Sequence, residues 1–301
     1  MTATNPVLII GGGEMGHALS SLLTRSDTAT EVTTFDVRAD RSTCSPDDLP
    51  ATLRASRALF ITVPSYVLED AVAGLREDRR PDQPVIALTK GMTRETDRFA
   101  GEVLREELGE NVAVLTGPML AEEIKEGLPA HALCAGSKDA FQEVRTRITP
   151  ELLGLEHSPD ILGASACGLL KNIYSIGFGI ADALSLGKNF RGFLTTQAVQ
   201  EMMSIVERLG GERATVLTEA GLGDLVATAS SVYSSNYAVG RELGRDGVTR
   251  KQSEGRCSME AFSRRLPEDP ALVFYSTIKR IVLGEQSVEH FREYLMRTTH
   301  V

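Results

Sequence analysis

The chain has 301 residues, 42% of them hydrophobic and 24% charged, which is ordinary globular composition with material for a packed core; at roughly 100 to 200 residues per domain, two domains are expected. Its 41 Asp and Glu exceed its 32 Lys and Arg, for a net charge of −9, so nothing builds a footprint for a phosphate backbone and no nucleic-acid partner is expected. Cys44, Cys134, Cys167 and Cys257 are scattered without a CxxC pair, which suits reduced thiols in the cytoplasm and implies neither a disulfide framework nor a metal site.

Residues 1–6 carry no basic run, and the apolar stretch after them breaks at Gly11, so no secretory signal is expected. Short β-branched runs at Val7–Ile10, 31–35, 59–63, 84–89, 111–115 and 131–135 predict parallel strands joined by crossover helices. Between them lie amphipathic patterns, notably 95–108, where Phe99, Val103 and Leu104 share a face. After about Ser158 the strands stop, and helices are expected at 161–185, 193–209, Asp224–Ala229, 259–266 and 272–283. The predicted fold is α/β: a Rossmann-type doubly wound sheet over 1–158, then an all-helical domain over 159–301. The apolar uncharged stretch 173–181 is bracketed by Lys171 and Asp182. It is half the roughly 20 residues a bilayer requires, so no membrane span is expected.

The first strand runs into Gly11-Gly12-Gly13-Glu14-Met15-Gly16, a GxGxxG turn that opens a helix over 15–23. Glycines there let the backbone approach a pyrophosphate, whose charge then sits at a helix N-terminus. Asp36 ends the second strand, twenty positions beyond Gly16. A carboxylate there accepts hydrogen bonds from ribose hydroxyls and repels a 2′-phosphate, so NAD is the expected cofactor, with NADH preferred over NADPH. Arg38 and Arg41 are the opposing hint, as partners for a 2′-phosphate. Two later strand ends, Val63-Pro64-Ser65 and Thr89-Lys90-Gly91, would flank the same cleft, because ligands of doubly wound sheets collect outside the carboxyl ends of the strands.

Three polar clusters interrupt the helical half. Lys171-Asn172 lies in an apolar stretch rich in small residues, where an ammonium needs a partner, a cavity or a route to solvent. Asp224 and Thr228, four apart after Gly221-Leu-Gly223, share one helix face, although Asp224 also reads as an N-cap. Ser234-Ser235-Asn236 reads as a polar turn.

Taken in order, these segments resemble the NAD(P)-dependent glycerol-3-phosphate dehydrogenase family. The likeness extends to Thr116-Gly-Pro118, Ala121-Glu-Glu123, Gly187-Lys-Asn189 and Ser253-Glu254-Gly255. It implies a Rossmann domain coupled to a helical half of the 6-phosphogluconate dehydrogenase C-terminal kind, interconverting dihydroxyacetone phosphate and sn-glycerol 3-phosphate. It further implies Lys171 as general acid/base, with Lys90, Asn172, Asp224 and Thr228 around the substrate and Ala121 and Glu254 near the cofactor. A small-molecule substrate is the expected partner, and a homodimer is an assembly it allows.

The chain departs from the family at the substrate side. Where the family has Ser-Arg-Asn, this chain has Ser234-Ser235-Asn236; Met119 replaces a serine, and Gln197 replaces an arginine. Losing the arginine removes a bidentate phosphate partner, unless Lys188, Arg191 or Arg241 supplies the charge. The expected activity is NADH-dependent reduction of a small ketone, dihydroxyacetone phosphate by family. The alternatives are a phosphate-free carbonyl compound of a specialised pathway, or a noncatalytic NADH-binding protein.

Overall fold

The central strands are buried at every position, and successive side chains alternate between two apolar cores, one on each face of the sheet. In the computed structural model, which describes residues 5–297 apart from Asp27 and Ala29, seven strands form one sheet. They are β1 (Val7–Ile10), β2 (Val32–Phe35), β3 (Ala58–Ile61), β4 (Val85–Ala87), β5 (Val112–Thr116), β6 (Ala130–Gly136) and β7 (Leu153–Ser158), in the spatial order β2-β1-β3-β4-β5-β6-β7. Val7, Ile9, Phe60 and Ile86 point to one face, packed by Leu19, Leu22 and Leu23 of helix Glu14–Arg25. Leu8, Ile10, Ile61 and Val85 point to the other, continuous with the core of the helical half.

The expectation of an all-parallel sheet needs correction. β1 to β5 pair in parallel, but β6 runs antiparallel to β5, and β7 is parallel to β6. The short helix Ala121–Glu126 after β5 makes no crossover; Arg25 instead donates to its Ile124 and Lys125 carbonyls, fastening it beside Glu14–Arg25. β7 escaped sequence reading because it is a polar edge strand, Leu-Gly-Leu-Glu-His-Ser, with one fully buried residue.

From Ile161 the chain is helical. Helix Ile161–Ala183 runs through the centre, buried from Gly163 to Ala181. Its length and apolarity are those of a membrane span, but 94% of its most apolar window is inside the protein, so it is a core helix. Helix Ser235–Asp246 packs on it at close range: a Cβ at Gly240 would overlap the Ile176 carbonyl, and one at Gly179 the Tyr237 carbonyl. Helix Gly187–Arg208 brings Glu201 into the core, where its carboxylate accepts from the Tyr174 hydroxyl at 2.8 Å and from the backbone N–H groups of Phe274 and Tyr275 at 2.7 and 2.8 Å. It thereby fastens the first turn of helix Val273–Val282 to the central helix.

Three helix starts differ from the sequence reading. The 95–108 pattern becomes helical only at Ala100, because Asp97 takes a left-handed φ of 53° and the Arg98 N–H is held by the Thr93 hydroxyl. The helix expected at 193 begins at Gly187, whose φ of 81° marks the turn into it. Ser234 is no free turn but the N-cap of helix Ser235–Asp246, its hydroxyl accepting from the Tyr237 N–H.

Candidate active site

The register of β1 to β4 brings Ile10, Phe35, Ile61 and Ala87 to one end of the sheet, so the segments after them meet there. After β1 the chain turns at Gly11, φ 110°, where a Cβ would meet the Thr62 hydroxyl, and a Cβ at Gly16 would overlap the Gly11 carbonyl. Gly13, by contrast, has nothing within 4 Å of such a Cβ, and it caps helix Glu14–Arg25 without a side-chain bond. The turn is therefore packed behind and open in front, with uncapped N–H groups that suit a pyrophosphate.

Asp36 follows β2 and accepts from Gly12 N at 2.7 Å and Arg38 N at 2.8 Å, tying the end of β2 to the glycine turn. With Gly11, Phe35, Arg41 and Tyr66 it lines an apolar cavity of about 530 Å³. Arg38 is turned to Asp40, at 3.1 Å. Glu14 directs its carboxylate to Lys125, leaving its backbone at the helix start. Val63 and Pro64 also line a second cavity of about 310 Å³, so the two cavities lie side by side along the strand ends, with Asp36 in the first.

The second cavity brings together Met15, Val63, Pro64, Lys90, Ala121, Lys171, Asn172, Thr228, Ser235, Asn236 and Glu254. Asp224 lies just behind them, 1% exposed. It does not cap its helix by its side chain: a π-helical turn, Glu219–Gly223, leads into Asp224–Ala229 and delivers the carboxylate inward. Its Oδ2 accepts from Lys90 Nζ at 2.7 Å, and its Oδ1 lies 3.2 Å from Lys171 Nζ and 3.1 Å from the Thr228 hydroxyl. Lys171, 7% exposed, also donates to Thr228 Oγ1 at 2.8 Å. An ammonium has three donors; one goes to Thr228, the Asp224 carboxylate lies within ion-pair distance, and the side chain also lines the cavity.

Electrostatics follow from this geometry. Burial pushes the Lys171 ammonium down from 10.5 to about 8, with Lys90 adding repulsion and Asp224 opposing both. Burial acting alone would raise Asp224, but the two ammonium groups hold its carboxyl below the ordinary range. An uncompensated buried ion costs several kcal/mol, so the carboxylate shared by two lysines is what lets both stay inside.

Asn172 Oδ1 accepts from Asn236 Nδ2 at 2.9 Å, and Asn236 Oδ1 accepts from Gly255 N at 2.9 Å, linking three segments of the helical half. Sequence reading missed two partners in the same place. Ser65 donates its hydroxyl at 2.6 Å and its N–H at 3.2 Å to Glu254, whose carboxyl burial raises above the ordinary range despite these bonds. The Gly117 carbonyl accepts from Lys90 Nζ at 3.0 Å. Ser65 stood in a noted motif, but its partner is 189 positions away; a backbone carbonyl leaves no side-chain signal.

Among the described residues, no arginine lines the 310 Å³ cavity. Arg191 is turned away, donating to Asp182 at 2.7 Å and to the Ala229 carbonyl at 2.7 Å, with its guanidinium 5.0 Å from the Phe178 ring centroid. Lys188 and Arg241 lie on exposed positions outside the cavity wall.

Two family models match the chain: the N-terminus of NAD-dependent glycerol-3-phosphate dehydrogenase over residues 36–142 and its C-terminus over residues 160–290. Glycerol-3-phosphate dehydrogenase (NAD(P)+) of Edwardsiella ictaluri is 37% identical over 213 residues, covering 69% of this chain and 63% of that relative, a little under two thirds of its length. The enzyme of the same name from Erwinia tasmaniensis is 33% identical over 261 residues, covering 78% of this chain and 76% of that one. The crystal structure of glycerol-3-phosphate dehydrogenase from Coxiella burnetii superposes with a TM-score of 0.85 at 26% identity, covering 99% of both chains.

Proposed function

We propose that this chain, which belongs to the NAD-dependent glycerol-3-phosphate dehydrogenase family, interconverts a small ketone and its secondary alcohol by hydride exchange with NADH. The carrying observation is the buried Lys171 ammonium, which lines the cleft, is held by Asp224 and Thr228 and is lowered to about 8. The glycine turn and the uncapped start of helix Glu14–Arg25 would hold the pyrophosphate of the cofactor, and Asp36 the adenosine ribose. When bound, the reduced nicotinamide supplies the hydride.

The chain's own residues then do the proton work. Lys171 hydrogen-bonds the ketone oxygen and gives it a proton as charge develops there. Asp224 and Thr228 orient Lys171, and Lys90 places a second positive charge beside the same carboxylate. Asn172 and Asn236, bonded to each other, present amide groups to substrate hydroxyls. Dihydroxyacetone phosphate and sn-glycerol 3-phosphate are the family's substrate pair. A second reading, a phosphate-free carbonyl compound, is favoured by the lack of an arginine in the cavity wall and by Met119 in it.

NADH oxidation with dihydroxyacetone phosphate, compared with dihydroxyacetone, tests the assignment. Turnover of either supports it and tells the readings apart. Failure with both, with no NAD reduction by sn-glycerol 3-phosphate or glycerol while NADH still binds, would favour the noncatalytic reading.

The cofactor preference rests on Asp36. NADH is expected to bind more tightly than NADPH in a fluorescence titration, and Asp36→Ala is expected to narrow the gap by removing the carboxylate that repels a 2′-phosphate. Equal dissociation constants in the unaltered protein would hand the 2′ position to Arg41, which lines the same cavity.

A further inference from the structure

The segment that carries Glu254 into the cleft also borders a separate cavity of about 420 Å³, to which the proposed reaction assigns nothing. Three guanidinium groups reach it from three places: Arg94 from the loop after β4, Arg256 from the turn Glu254–Cys257, and Arg264 from helix Met259–Arg265. One carboxylate, Glu260, shares the lining.

The three arginines are not equivalent. Arg264 is neutralised by Asp97 through two bonds, at 3.0 and 2.6 Å. Arg94 is held by stacking, 5.0 Å from the Tyr66 ring centroid, and Arg256 by donating to the Lys251 carbonyl at 2.6 Å. Among the described residues neither Arg94 nor Arg256 has a carboxylate within ion-pair distance, in a chain of net charge −9. Both are therefore positioned by contacts other than an ion pair, although the charge of Arg94 is felt by the Glu254 carboxyl and Glu260 shares the lining. The rest of the lining includes the partly buried apolar residues Val282 and Leu283.

The geometry points to this cavity as a binding site for a dianionic phosphomonoester, its phosphoryl oxygens between Arg94 and Arg256 and its carbon body against Val282 and Leu283. Two guanidinium forks match a phosphate dianion in charge and in hydrogen-bond geometry. Arg94 lies four residues beyond Lys90, and Arg256 two beyond Glu254. An occupant therefore joins the strand-end segment that carries Lys90 to the helical segment that carries Glu254, spanning the two sides of the cleft. The binding itself is independent of which ketone the cleft accepts.

Calorimetric titration with inorganic phosphate, at ionic strength matched with sodium chloride, tests the site on the full chain. The unaltered protein is expected to bind phosphate. The Arg94→Gln/Arg256→Gln double variant is expected to lose roughly ten- to hundredfold in affinity, the scale of lost charge-assisted bonds. Arg94→Lys/Arg256→Lys keeps the charges without the forks, and should fall between the two; it also carries the test should the glutamine variant not fold. Equal phosphate affinity in the unaltered and glutamine proteins, or no binding beyond the chloride control, would overturn the assignment.

Discussion

Lys171→Ala is expected to lower turnover by roughly 10²- to 10⁴-fold, the range for removing a general acid, while leaving NADH affinity nearly unchanged. The separation of effects follows from the layout. Lys171 stands on the central helix beside Asp224 and Thr228, whereas the proposed pyrophosphate site is the glycine turn after β1. Removing Lys171 also leaves Asp224 paired with Lys90 at 2.7 Å, so the buried carboxylate keeps a partner and the fold is not put at risk. Asp224→Ala lacks that safeguard, because it would leave two ammonium groups facing each other without compensation. Steady-state kinetics and an NADH titration on Lys171→Ala check the expectation; near-normal turnover would remove Lys171 from the chemistry.

Ser235→Arg is expected to lower the KM for dihydroxyacetone phosphate by roughly ten- to hundredfold, since a charge-assisted bond to phosphate is worth about 1.5 to 3 kcal/mol. Ser235 is the first residue of helix Ser235–Asp246 and lines the cavity beside Asn236, so a guanidinium there joins a helix N-terminus that already favours an anion. None of the sequence candidates for a replacement charge stands in the wall: Arg191 is committed to Asp182 and Ala229. Parallel kinetics of both proteins on dihydroxyacetone phosphate and dihydroxyacetone give the answer. Efficient turnover of the phosphate by the unaltered protein, with no gain on adding the arginine, would mean that Lys90, Lys171 or backbone N–H groups already suffice.

Local patterns carried much of this architecture in the sequence, and long-range geometry carried the rest. The glycine turn, Asp36 and the strand ends at Val63 and Lys90 were legible because Rossmann chemistry sits at fixed offsets from apolar runs. The polar helix around Ser235 was not, because its two packing glycines, Gly240 and Gly244, weaken a helical pattern while serving close contact with Ile176 and Ile180. The antiparallel step at β6 follows the helix Ala121–Glu126, which Arg25 holds from about a hundred residues away, a contact that no local pattern displays. Lys171, Asn172, Asp224 and Thr228 were each visible as polar interruptions. That one carboxylate serves both Lys171 and Lys90 was visible only in three dimensions.

The pH dependence of ketone reduction tests the role of Lys171 most directly. As the proposed proton donor Lys171 must be in its ammonium form for reduction, and burial lowers that group from 10.5 to about 8. kcat/KM for reduction is therefore expected to be level below about pH 7, to halve near 8 and to fall about tenfold per unit above it, with alcohol oxidation rising over the same interval. A reduction profile that stays flat from pH 7 to about 10, on a protein that remains folded throughout, would contradict it.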